Sequence, residues 1–322
     1  MNRYIRYILL LFLISVKVPA EALILYSSDG GASWIREESS TLSNLNDVAI
    51  SITTGIAISV GDNGTILRRG DDGTWSDVSP GGFTADLYSV AVGVSGMMAC
   101  GEGGILLSSF DGGTSWRILD NFQYSSIDLY SVNFDPTHPN SFLIVGEDGF
   151  IYSSEDGLVE TESSSDFVTS CGMLCSGFPE VVLGRNGSVY NIRNEVMFDI
   201  GDAVISGATE IVSGGGRYIA VGESGSVFRY SDCQVWDGIL HCTGEDLNDV
   251  SYLIWGMTVC AVGDNGTMLI SEDNGLTWGI SDTGTSRDLN AVAGNGAGIA
   301  CIVGSSVMSG MINFFSTSEV SD

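Results

Sequence analysis

The chain has 322 residues, with 40 Asp and Glu against 12 Lys and Arg and a formal charge of −28 at pH 7. A body this acidic repels nucleic acid and anionic lipid and favours cationic partners or metal ions; the same charge also keeps a protein soluble. Gly is abundant (43) and Pro rare (5), which suits many short strands joined by tight turns.

In chain order, residues 1–22 read as a signal peptide. Arg3 and Arg6 give a positive start, Tyr7–Val16 form a short apolar run, and Ala20-Glu21-Ala22 offers small residues for cleavage. The run is about half the roughly 20 residues a spanning helix needs. Lys17 interrupts it, so no stable membrane insertion is expected and the chain is expected to be secreted or periplasmic. Cleavage removes every lysine and leaves arginine alone against the acids.

Beyond residue 22 the chain repeats itself. A Leu-x-x-Val strand is followed by a hydrophobic strand ending in Val-Gly, a turn such as Asp-Asn-Gly, a third strand, and often Ser-x-Asp-x-Gly-x-Thr-Trp. The fullest copy is Leu247–Trp278, and its opening is echoed at Leu45, Leu87, Leu129, Phe167, Ala208 and Leu289. A period of about 41 residues is that of a four-stranded propeller blade. The expected fold is all-β: one seven-bladed β-propeller of four-stranded antiparallel blades over 23–315, with a tail at 316–322. The last repeat lacks its outer strands, and Leu23–Arg36 matches Met268–Ile280 nearly position for position. The N-terminal strands should therefore close the last blade and remove an open sheet edge, with Val307–Phe315 as a competing source of the third strand.

The first strands should line a central channel, and the turns after the second strands should emerge together on one face. Those turns carry Asp62, Glu102, Glu147, Glu223 and Asp264, with Arg185 as the single positive charge. Such a ring could recruit a partner with a basic surface or weakly bind Ca²⁺. Turn chemistry alone also predicts acids there. Three of the turns contain the sequons that begin at Asn63, Asn186 and Asn265. Cys171 with Cys175, and Cys233 with Cys242, flank hairpin tips and could each close a local disulfide. Cys100, Cys260 and Cys301 sit in second strands and read as small core residues.

In the boxes Ser27–Trp34, Ser109–Trp116 and Ser271–Trp278, the carboxylates of Asp29, Asp111 and Asp273 can accept turn amides. Trp34, Trp116 and Trp278 can bury their rings against neighbouring strands. These boxes resemble the bacterial neuraminidase (Asp-box) repeat. With the Val-Gly-x-x-Gly turns, the pattern over residues 23–315 resembles the photosystem II stability and assembly factor family. That resemblance implies a seven-bladed propeller acting as a non-enzymatic assembly or docking factor. Photosynthetic members present an arginine-rich patch to their membrane partner, whereas arginines here are scattered through an acidic body.

Asp-boxes also occur in sialidases, which need three arginines converging on a carboxylate. The first strands here carry none, and the only histidines are His138 and His241. The expectation is a monomeric, non-enzymatic, protein-binding scaffold without organic cofactor or dedicated metal site. The alternative is a carbohydrate-active propeller, either lectin-like or a divergent sialidase-type glycosidase. Aromatic side chains at a channel mouth with carboxylates about 5–10 Å apart would mark that alternative. A shallow face ringed by acids would mark the scaffold.

Overall fold

The computed structural model describes residues 19–94, 96–119, 127–134, 142–147, 150–153, 159–161, 167–172, 180–184, 189–193, 196–199, 208–214, 217–230, 236–241 and 243–308. Four-stranded antiparallel sheets follow one another along the chain, each named here by the first residue of its innermost strand. The Leu45 blade shows the plan, with strands Leu45–Ile50, Ala57–Gly61, Ile66–Arg69 and Trp75–Asp77 in that spatial order. The Leu87, Leu129, Ala208 and Leu247 blades repeat it. In the Leu289 blade, Leu289–Gly294 and Ala300–Gly304 are completed by Leu23–Ser27 and Ile35–Glu37. Side chains are described for these six blades, one fewer than the repeat count predicts. The backbone strands Phe167–Gly172, Glu180–Gly184, Val189–Arg193 and Val196–Asp199 pair into a further sheet of the same order, within which no side chains are described.

Sequence explains the burial gradient across a blade. Second strands such as Ala57–Gly61 are buried at every position, because a sheet sandwiched between two neighbours has no solvent face. Fourth strands such as Ile35–Glu37 lie at the rim and are largely exposed. The core is a series of seams between blades. In one, Ile58, Val60 and Ile66 of the Leu45 blade meet Leu87, Val90, Met97 and Leu107 of the next. Cys100, Cys260 and Cys301 are buried, as their apolar neighbours predict. Cys175, Cys233 and Cys242, and the side chain of Cys171, lie outside the described residues, as does residue 1–18 of the expected signal peptide. Among the described residues no helix is long and apolar enough to cross a membrane.

Closure uses both sides of the N-terminal hairpin. Leu23 and Leu25 pack with Ile302 against Leu253, Val262 and Met268 of the preceding blade. Ile24 and Val303 pack against Leu45, Leu67 and Trp75 of the following one. Glu37 takes a bidentate ion pair from Arg69 (2.6 and 2.9 Å) and a hydrogen bond from Trp75 Nε1 (2.8 Å). The competing segment is used differently: Val307–Met308 pairs with Pro19–Ala20 in a separate two-stranded ribbon.

Gly61, Gly101, Gly146, Gly263 and Gly304 each end a second strand for one steric reason. The carbonyl preceding the innermost strand accepts the amide that follows this glycine, as in Asp62 to Asn44 (3.0 Å), Glu102 to Asp86 (2.9 Å) and Asp264 to Asp246 (3.0 Å). A Cβ on Gly61, Gly101 or Gly263 would collide with that same carbonyl oxygen.

Candidate functional site: the acidic rim and channel mouth

After the second strand, the chain makes a one-turn 3₁₀ element at Asp62–Gly64, Glu102–Gly104, Glu223–Gly225 and Asp264–Gly266. The middle residue of each is left-handed (Asn63 φ 56°, Ser224 φ 53°, Asn265 φ 54°), and Asn tolerates that region better than most residues. This leaves its amide facing the next blade, where an acid receives it. Asn63 donates to Asp86 Oδ1, Gly103 to Asp128 and Ser224 to Asp246 (2.8 Å each), and Asn265 donates to Asp288 (3.0 Å). At the ring closure Ser306 donates to Asn44 Oδ1 (3.0 Å). These staples bring the turns onto one rim, and they recruit Asp86, Asp128, Asp246 and Asp288, acids the turn motif alone did not single out.

The predicted acidic ring is split by side-chain length. Asp62 is half-buried and bound by Asn44 Nδ2 (2.8 Å) and Asn46 Nδ2 (3.0 Å); Asp264 accepts Asn248 Nδ2 (3.0 Å). These two carboxylates serve the turn. Glu102, Glu147 and Glu223, one methylene longer, are exposed on the rim. Glu102 and Glu147 reach only long contacts, at 3.4 Å, with the Asp86 and Asp128 amides. Arg185 lies outside the described residues.

Inside the rim opens a central channel of about 380 Å³, lined by the first strands, with no Lys, Arg or His among the described residues of its wall. Each first strand carries a register shift after its opening residue. A bulge of this kind re-aims a side chain. At this position Asn46 donates to the Leu87 carbonyl (2.9 Å), Thr209 to Leu247 (2.6 Å), Asn248 to Leu289 (3.1 Å) and Asn290 to Leu45 (2.7 Å). The residue thus clasps one blade to the next. Tyr88 and Tyr130 occupy this position in two adjacent blades, and their ring centroids stand 6.3 Å apart with planes at 31°. There the Leu129 carbonyl is served by Cys100 Sγ (3.5 Å).

One residue deeper lie Asp47, Glu210 and Asp249. Asp47 accepts the Val48 amide (2.7 Å) and, across the seam, the Val90 amide (2.8 Å); Asp249 accepts Val250 and Val292 (2.6 Å each). Burial among protein atoms pushes Asp47 up to about 6. Burial, then the charge on Asp47, raises Asp249 well above the carboxylate range. An acid whose folded pKa exceeds its unfolded value of about 3.9 stabilises the fold below that value and loses the contribution as pH rises through the folded one. Lowering the pH from 8 to 5 is therefore expected to raise the melting temperature, Asp47 contributing about 1 kcal/mol over that interval. A steady fall in melting temperature over the same range contradicts this.

The Ser-x-Asp hairpins lie on the opposite face. Asp29 accepts the Ser27 hydroxyl (2.8 Å), the Ser33 amide (2.9 Å) and the Ser33 hydroxyl (2.6 Å); Asp111 and Asp273 repeat the pattern with Ser109 and Ser115, and with Ser271 and Thr277. The Ser115 hydroxyl and amide hold Asp111 far below the usual carboxylate range. Trp116 is buried, Trp34 and Trp278 partly so, and Trp278 Nε1 donates to Gly275 (3.2 Å). Arginines brace these hairpins: Arg68 Nε donates to Gly112 (2.7 Å) and Arg229 Nε to Asn274 (3.2 Å), each across a blade seam. Among the described residues no group of three or more His, Cys, Asp or Glu could hold a metal ion.

Fold comparison rests on this geometry. The chain folds as a β-propeller. It superposes on YCF48 bound to a D1 peptide with a TM-score of 0.63 at 16% identity, covering 81% of this chain and 93% of that one. YCF48 from Cyanidioschyzon merolae gives 0.58 at 17% identity, with 81% and 95% covered. The WD40 propeller domain of Doa1 gives 0.62 at 12% identity, with 89% and 97% covered. Identities this low establish shared architecture alone. No protein-family model matches the chain, and no curated protein does.

Proposed function

We propose that this chain is an exported, non-enzymatic propeller that acts as a protein-binding or complex-assembly scaffold, docking a basic surface on its acidic rim. The observation that carries the reading is the exposure of Glu102, Glu147 and Glu223 beside the staple acids around one open channel mouth. Charge of one sign around a concave opening speeds and orients encounter with an opposite surface. A propeller of the same fold holding a D1 peptide, and WD40 propellers, fit a docking role. The 41-residue spacing and the backbone sheet Phe167–Asp199 support a seven-bladed ring; the proposal takes that ring as a monomer that works without organic cofactor or dedicated metal site.

Cross-linking in the native host, followed by purification, tests the docking face. The triple variant Glu102→Gln, Glu147→Gln, Glu223→Gln should melt like the wild type yet lose most of a specific partner captured by it. An unchanged partner set moves docking to the Ser-x-Asp face. Export is read from the mature N-terminus: a chain starting at residue 23 supports it, and an intact Met1 refutes it.

One observation favours the carbohydrate reading: two aromatic rings, Tyr88 and Tyr130, stand at the channel mouth with carboxylates nearby. A glycan array with the wild type and the Tyr88→Leu, Tyr130→Leu variant decides it. Glycan binding lost in that variant would make this propeller a lectin.

A further inference from the structure

We propose that the Tyr88–Tyr130 pair is the specificity pocket of the acidic rim, taking the guanidinium head of an arginine side chain carried on a basic peptide segment of the partner. This rests on the docking reading above and adds to it the place and the chemical group.

The first support is a departure from the fold's own rule. The bulge position needs a short donor to reach the next blade's Leu carbonyl, and Asn46, Thr209, Asn248 and Asn290 provide one. Tyr88 gives up that clasp, and at Leu129 a cysteine thiol, a weaker donor, replaces it. The Leu87 blade thus trades a structural hydrogen bond for aromatic surface beside Tyr130 at one point of the mouth.

The second support is electrostatic. Burial raises the Tyr88 hydroxyl, and the carboxylates of Asp128, Glu102 and Asp86 raise it further, so these acids set the potential around the rings. Deeper in the channel Asp47 extends that potential, and no basic residue stands among the described residues of the wall. A cation gains here from both the ring faces and the carboxylates, while a neutral sugar gains only from the rings.

Guanidinium fits better than a metal ion or ammonium. Hard metal ions want several converging oxygens, whereas this notch offers two ring faces, and no metal-holding cluster exists among the described residues. Arginine is planar, weakly hydrated and stacks on aromatic rings, while lysine's ammonium holds its water more strongly.

A capped, fluorescently labelled peptide of alternating glycine and arginine, titrated by anisotropy into the full-length mature protein, tests this. Three matched versions carry lysine, citrulline or glutamine at the arginine positions. Wild type should bind the arginine peptide at least tenfold more tightly than the citrulline and glutamine versions, and several-fold more tightly than the lysine one. Tyr88→Leu with Tyr130→Leu should weaken binding about tenfold. Tyr88→Phe with Tyr130→Phe, which keeps the rings, should restore it and so separates recognition from folding.

Equal binding by the Leu and Phe variants overturns the pocket. If the triple Glu→Gln variant still weakens the peptide in that case, docking on the rim stands without it. Absence of arginine-peptide binding by the wild type overturns the pocket; whether the rim docks at all is then decided by the cross-linking comparison. Displacement of the peptide by free spermidine as effectively as by an unlabelled copy reassigns the site to free polyamines. Glycan binding that depends on the rings, without peptide binding, assigns it to carbohydrate.

Discussion

A chain lacking residues 1–37 should fail to form a monomeric propeller, giving either no cooperative melt or higher oligomers on size-exclusion chromatography. The deletion removes the two outer strands of the Leu289 blade and uncovers the edge of Ala300–Gly304. Leu23, Ile24 and Leu25 are no more than 5% exposed, and their side chains fill the seams on both sides of the blade. At about 2 kcal/mol each, these three alone approach the whole stability of a typical domain, about 5–15 kcal/mol. The Arg69–Glu37 pair is lost as well, leaving a guanidinium that is only 14% exposed without its counter-charge. Adding a peptide of residues 19–37 in trans should recover part of the melt. A truncated chain that melts normally as a monomer refutes this closure.

Gly263→Ala should lower stability by about 3 kcal/mol and the melting temperature by several degrees, measured by calorimetry. Gly263 is extended (φ −169°), so backbone conformation alone would accept alanine. The penalty is steric: a new methyl would meet the backbone of Asp246 and Leu247, which the following amide holds in place through its bond to the Asp246 carbonyl. Gly279→Ala in the rim strand of the same blade is the control. Its added Cβ meets nothing nearer than the Ile270 carbonyl at 3.9 Å, and it should be nearly silent. Equal effects of the two changes would show that the close approach does not matter.

Both predictions grow from motifs visible in the sequence, yet their reasons were not visible there. The Val-Gly ending is legible as a repeat; the carbonyl that forbids a side chain comes from a residue about 17 positions earlier and meets it only once the strands pair. The acids of the second-strand turns were legible too. That Asp62 and Asp264 serve Asn partners while Glu102, Glu147 and Glu223 reach solvent depends on one methylene and on the neighbouring strand. Tyr88 and Tyr130 went unnoticed because a tyrosine in a strand is ordinary. Aligning the position after each opening Leu would have set them against Asn46, Asn248 and Asn290, a signal present in the sequence but meaningless before the clasp is known.

By itself the sequence determined the repeat, the four-stranded unit, the turn chemistry and the match between Leu23–Arg36 and the missing outer strands. The first three are set by contacts within about forty residues, where strand period and turn residues leave few alternatives; the last is a likeness between two stretches of sequence, whose pairing joins Leu23–Ser27 to Ala300–Gly304. Only the tertiary structure decided which acids reach solvent, which tyrosines pair and which two aspartates share the channel. Those contacts join different blades, and neighbouring blades can meet through many side-chain combinations while keeping the same local pattern.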